Sequence, residues 1–232
     1  MDNATDWILN HVVMNISTVR AHAAANNGQC VWRFSQVKDP VRAIISLHPG
    51  SRGGICAMLS AHWLASEHRG EQLQGRLGHA RHDLDHGMLG TIATQHAMAS
   101  AGNRQEDNID GWMQSQGLVF DRRELLGTGA AGGHFSKDEL LDTIETRIAA
   151  RDPSYAFISF SGRYAGLGTQ GHIVAGVFGS AGARFFDPNY GAFTFASMAD
   201  FRSFFRWYFK KAHYGSSMMG NMQENGYVLF YH

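Results

Sequence analysis

Apolar residues early in the chain recur every three or four positions, whereas beyond residue 154 they come in β-branched and aromatic runs. In residues 6–25, Ile8, Leu9, Val12, Val13, Ile16, Val19 and Ala23 keep helical spacing until Asn26-Asn27-Gly28 ends it, which predicts an amphipathic packing helix. Residues 30–34 read as a short strand, and residues 41–47, after Asp39-Pro40, as another strand or extended segment. A helix is predicted to begin at about Cys56, with Ile55, Met58, Leu59, Ala61 and Leu64 on its apolar side, and a further one to cover 84–101. The polar stretches 67–87 and 103–110 read as solvated connections, and 117–126 fits either a strand or a short helix. Ser136-Lys137-Asp138-Glu139 is a capping box, so a helix should start at Lys137 and reach Ala150. Strands follow at 155–160, 173–178, 184–186, 192–195 and 227–231, interrupted by one amphipathic helix over 198–213.

Helices first and strands afterwards predict an α+β fold, a helical half packed on one antiparallel sheet. No linker-like stretch divides the 232 residues. One domain over 1–232 is expected, with an N-terminal helix and lead-in (1–50), a mainly helical half (51–152) and a sheet half (153–232).

Charge excludes several function classes. Twenty basic and twenty acidic residues balance, leaving no basic footprint for nucleic acid and no polybasic membrane patch. No apolar run approaches the roughly 20 residues a membrane span needs. The 13 histidines make net charge climb as pH falls through the imidazole range. Two cysteines, Cys30 and Cys56, make no disulfide framework, so both are expected to be free and to work in a reducing compartment. Residues 1–6 lack a basic and apolar signal sequence, and Asp2 stands where myristoylation needs glycine, so export is expected by a route that reads no cleavable signal. Asn15-Ile16-Ser17 is read as a chance sequon within a helix.

Two motifs are set aside. Gly127-Thr128-Gly129-Ala130-Ala131-Gly132 spells the dinucleotide loop, but the charged run Asp121-Arg122-Arg123-Glu124 precedes it and the next helix begins later, so a glycine loop and no cofactor are expected. His82 and His86, four apart and close to His79 and Asp83, could share a metal, yet no supporting ligand spacing accompanies them and no metal is expected.

The chemistry centres on Cys56. Gly53-Gly54 allow a sharp turn before it, and a thiol in the first turn of a helix meets unsatisfied N–H groups that favour the thiolate. His172, after the glycine-rich connection 161–171, opens a strand, and Asp187, held extended by Pro188, ends a neighbouring one. Nucleophile, base and orienter are thereby supplied in that order. Cys30, among apolar residues, is read as core.

The segments Gly54-Ile55-Cys56-Ala57-Met58-Leu59-Ser60-Ala61-His62-Trp63-Leu64, Gly171-His172-Ile173-Val174-Ala175 and Phe185-Phe186-Asp187-Pro188-Asn189-Tyr190-Gly191-Ala192-Phe193 together resemble the YopT/AvrPphB-type cysteine proteases of bacterial effectors. The resemblance runs from about residue 53 to the C-terminus. It implies a papain-like fold, a Cys56-His172-Asp187 triad, secretion as an effector with a possible chaperone, and a protein substrate in the reducing cytoplasm of a target cell. Relatives place an amide side chain just before the cysteine to hold the oxyanion, but residues 48–55 contain no Asn or Gln. The second donor, beside the Cys56 N–H, is expected from Ser51 or from a distant amide such as Gln36. The same triad would serve a glutamine deamidase or transglutaminase, and the missing amide would suit a non-catalytic binding module.

Overall fold

The computed structural model describes residues 16–51, 54–79, 82–101, 105–127, 134–164, 168–212, 214 and 222–232. In chain order its elements are α1 (Ile16–Ala25), β1 (Gly28–Trp32), α2 (Val41–Ser46), a 3-10 turn (Pro49–Ser51), α3 (Cys56–His68), α4 (Leu73–Leu77), α5 (His86–Ala99), α6 (Gln105–Ser115), β2 (Phe120–Leu126), α7 (Lys137–Ala150), β3 (Ser154–Tyr164), β4 (Gly168–Gly179), β5 (Gly182–Asp187), β6 (Gly191–Phe195), α8 (Met198–Lys211) and β7 (Asn225–Tyr231). Among the described residues the strands form one antiparallel sheet in the order β1-β6-β5-β4-β3-β7-β2. The fold is α+β.

Side chains alternate across the sheet, and each face buries its own core. On β4, Val174 and Phe178 join a cluster with α1, α7 and α8, through Val19, Leu141, Ile144 and the aromatic row Phe201, Phe204, Phe205, Tyr208 and Phe209. Their neighbours Ala175 and Val177 join the other cluster, with Val41, Met58, Leu59, Leu64, Leu89, Ile92 and Met113 from α2, α3, α5 and α6.

Local chemistry sets most boundaries. Ser136 Oγ accepts the Glu139 N–H at 3.0 Å and the Glu139 carboxylate accepts the Ser136 N–H, which starts α7 at Lys137 as the capping box requires. Asp85 caps α5 by accepting the Met88 N–H at 2.8 Å.

Three expectations are corrected. Residues 41–47 are not extended: Val41 and Ile45, four apart, are the buried stripe of the short helix α2. The polar stretch 103–110 is helical from Gln105, because Ile109 and Met113 supply an i, i+4 pair to the core that the surrounding charges mask. The polar stretch 67–87 is partly helical, because Leu73 and Leu77, four apart, are the buried pair of the short helix α4; β1 and β2 form the two edges of the sheet. The ambiguous stretch 117–126 resolves as β2, paired with β7. Part of the connection 161–171 is strand, because β3 runs on to Tyr164 and β4 begins at Gly168. The proposed helix over 6–15, most of the glycine motif and Gly53 lie outside the described residues. No described helix is long and apolar enough to cross a membrane.

Candidate active site

Helix α3 begins at Cys56 itself. Gly54 holds φ +109°, a backbone conformation that suits glycine, and Ile55 closes the first turn by accepting the Leu59 N–H at 2.9 Å. Every residue from Ala57 to Ser66 is buried, so α3 passes through the helical layer and against the sheet. Ala57, Ala61 and Ala65 keep that approach close, and the Ser60 hydroxyl donates to the Ile173 carbonyl at 3.2 Å, tying α3 to β4. Cys56 remains partly accessible at the end of this rod.

His172 lies on β4 opposite Phe160 of β3 and is 5% exposed. It stands inside the strand, not at its opening, because β4 starts at Gly168. Its Nε2–H donates to Asp187 Oδ1 at 2.9 Å. Strand β5 pairs with β4 as far as Ala175 opposite Phe186 and delivers Asp187 beside the ring. A tight turn follows: the Tyr190 N–H returns to the Asp187 carbonyl at 2.9 Å, and Gly191 takes φ +107° where a Cβ would collide with the Trp32 carbonyl.

Asp187 has no exposed surface. A buried carboxylate is tolerable only when its oxygens are satisfied. Oδ1 accepts from His172 and from the Asn189 N–H at 2.7 Å, while Oδ2 accepts the hydroxyls of Tyr208 at 2.5 Å and Tyr214 at 2.8 Å. Burial, then the neighbouring Asp187 charge, lifts both tyrosines well above the usual phenol range, so they stay protonated donors. Burial alone would lower His172. The charge and hydrogen bond of Asp187, with those of Cys56, outweigh it and raise the imidazole to about 10. A charged imidazole between a sulfur and a carboxylate can give a proton to a leaving group beside the sulfur and take one back, while its ring is held in place.

The two oxyanion candidates part company here. Ser51 is fully buried and its hydroxyl donates to the Ala93 carbonyl of α5 at 2.9 Å, so its one proton is committed away from the thiol. Gln36 is at the site instead: its Oε1 accepts the Ile55 N–H at 2.9 Å, next to Cys56, and its Nε2 donates to Asn189 Oδ1 at 2.9 Å. The Gln36 N–H also reaches the Pro188 carbonyl at 2.7 Å. Sequence reasoning missed Tyr208, Tyr214 and the side-chain role of Asn189. Tyr208 was visible only as part of an apolar helix face and Tyr214 carried no signal at all.

Other candidates stay apart from this centre. Cys30 sits on the edge strand β1, separated from β4 by β6 and β5, and burial pushes its thiol up against the smaller opposing pull of Arg20 and Arg33. Both cysteines are free. His79 contacts Asp83 at 3.1 Å on the surface, and among the described residues no group of three or more His, Cys, Asp or Glu is arranged to hold a metal.

Against known proteins, the profile of the family Peptidase_C58, described as Yersinia/Haemophilus virulence surface antigen, matches residues 17–225. Cysteine protease yopT1 of Yersinia enterocolitica is 27% identical over 210 residues, covering 84% of this chain and 62% of that protein. The protein adenylyltransferase and cysteine protease IbpA of Histophilus somni is 23% identical over 207 residues, again 84% of this chain but 5% of the relative. The chain thus spans less than two thirds of these relatives. Among solved structures, the Pseudomonas avirulence protein AvrPphB superposes with a TM-score of 0.53 at 19% identity, covering 77% of this chain and 91% of that one, a likeness of fold.

Proposed function

The chain belongs to the Peptidase_C58 family, and on that premise we propose that it is a papain-like cysteine endopeptidase that hydrolyses a peptide bond in a protein substrate. The observation that carries this reading is a single imidazole, His172, bonded to a fully buried carboxylate and held charged by it together with the Cys56 sulfur at a helix start.

Cys56 is the nucleophile, His172 the general acid and base, and Asp187 the orienter. With His172 charged, Cys56 stands as its paired thiolate, which adds to the scissile carbonyl carbon. The oxyanion is held by the Cys56 backbone N–H and by the second hydrogen of Gln36 Nε2, whose first is directed to Asn189. His172 then gives its proton to the departing amine, leaving a thioester on Cys56. A water, deprotonated by His172, attacks that thioester; the acid leaves, and the thiolate and charged imidazole are restored. Asp187 keeps its proton count throughout, holding the ring by Nε2 so that Nδ1 serves the sulfur. The site of action is the reducing cytoplasm of a target cell reached by secretion, where both free thiols persist.

Two measurements test this. Iodoacetamide at neutral pH should alkylate Cys56 much faster than Cys30, with the difference lost in His172→Ala; equal, slow labelling of both defeats the proposed pair. Intact-mass and N-terminal mapping of a target-cell lysate should reveal new chain ends with the wild-type protein and none with Cys56→Ala. Mass changes of one dalton at constant chain length would replace hydrolysis of peptide bonds by side-chain deamidation.

A further inference from the structure

Tyr214 touches three members of the reaction centre at once. Its ring stacks on the His172 imidazole with centroids 5.0 Å apart and planes 24° apart. Its hydroxyl donates to Asp187 Oδ2 at 2.8 Å and accepts from Asn189 Nδ2 at 3.3 Å. Asn189 in turn accepts from Gln36 Nε2 through its side-chain oxygen. The phenol therefore sits where two hydrogen-bond chains meet, one leading to the base and the other to the amide beside Cys56. Phe160 closes the ring environment, edge-on to His172 at 5.7 Å and tilted against Tyr214 at 4.9 Å. Tyr208 shares the Oδ2 contact but packs against Phe185, Phe204 and Tyr190 instead of the imidazole.

We propose that Tyr214 is a positioning residue that fixes the imidazole plane by stacking and couples the orientation of Asp187 to that of Gln36 through Asn189. This rests on the peptidase reading, although its physical content is a statement about His172, Asp187 and Gln36 alone. The hydroxyl draws carboxylate charge toward Oδ2, which tempers the Oδ1 bond to His172. Removing it leaves that bond stronger and the Asn189 amide without its acceptor, so Gln36 loses a fixed neighbour while the ring stack survives in phenylalanine.

The test is the proton resonance of His172 Nε2–H, recorded by NMR on the full chain, which is read whether or not anything is cleaved. In Tyr214→Phe it should move downfield. With 3-fluorotyrosine incorporated at position 214, a near-isosteric and stronger donor that keeps the fold, it should move upfield. Turnover on a cleaved substrate should fall about tenfold in Tyr214→Phe, as expected for losing one hydrogen bond to a charged group, with KM within about twofold. Resonances that stay at the wild-type position in both variants, or move the same way, overturn the proposal, and the fluorinated chain decides it even where the phenylalanine variant fails to fold. Opposite shifts in a chain that cleaves nothing would keep Tyr214 as the positioning group and remove the peptidase reading.

Discussion

The two faces of the sheet are packed with different materials. The α8 face is aromatic: Phe185 meets Phe201, Phe205 and Tyr208, and Phe195 meets Phe201 and Phe204, all with centroids between 4.8 and 5.7 Å. The α3 face is mixed: Ala57, Ala61, Ala65, Leu59 and Leu64 let the helix lie close on the strands, and Trp32, Trp63, Phe157 and Phe186 fill the space around it. Histidines buried on the two faces meet opposite outcomes. His172, reached by tyrosine hydroxyls through Asp187, is held charged; His62 is bonded to the neutral amide of Gln95 at 2.7 Å and driven down to about 4, chiefly by burial. A buried imidazole is held charged where a carboxylate satisfied by tyrosine hydroxyls faces it, and stays neutral where its partner is an amide and its neighbour the Trp112 ring, 4.3 Å away.

The largest effect expected from this contrast separates Asp187→Ala from Cys56→Ala. Both should lower turnover by about 10⁴-fold or more. Only Asp187→Ala should also destabilise, by about 3–5 kcal/mol in chemical denaturation, because it strands the His172 charge and two phenols in the interior. Equal stability of the two variants would show that the aromatic face does not depend on its carboxylate. Gln36 joins Ile55 to Asn189, and Gln36→Ala should reduce kcat about a hundredfold, while Ser51→Ala leaves kcat within about twofold; steady-state kinetics reversing that order would return the oxyanion role to Ser51.

The two histidines predict opposite pH dependences of stability. His172 is raised in the folded chain, so its contribution is fully present below about pH 6.5 and is lost as pH climbs toward about 10. His62 is lowered, so its contribution is present above about pH 6.5 and is lost as pH falls toward about 4. Across that acid window the loss should be roughly 3 kcal/mol at 1.4 kcal/mol per pKa unit, and His62→Gln should flatten it when denaturation midpoints are compared at pH 7 and pH 4. The smallest effect belongs to Arg202, which bridges α8 to Asp142 and Glu145 of α7 at the surface; Arg202→Ala should cost no more than about 1 kcal/mol and lose even that in high salt.

The reach of local pattern is visible in which residues were legible. A helix start at Cys56, the capping box at Ser136, the strands carrying His172 and Asp187 and the α+β class all follow from residues a few positions apart, because spacing and caps act within a turn or along one strand. Helix α2 was misread since an apolar run of six residues serves either element, and α6 because its two core contacts are hidden among charges.

Sequence by itself picked out the candidate side chains Cys56, His172 and Asp187 and the elements that bear them. Only the folded chain decided which groups surround them: Gln36 reaches Asn189 across 153 residues, and Tyr208 and Tyr214 reach Asp187 across 21 and 27. Those contacts depend on strand register and on how α8 lies against the sheet, which are properties of the whole packed structure. A phenol in an apolar stripe looks the same in sequence whether it fills space or holds a carboxylate.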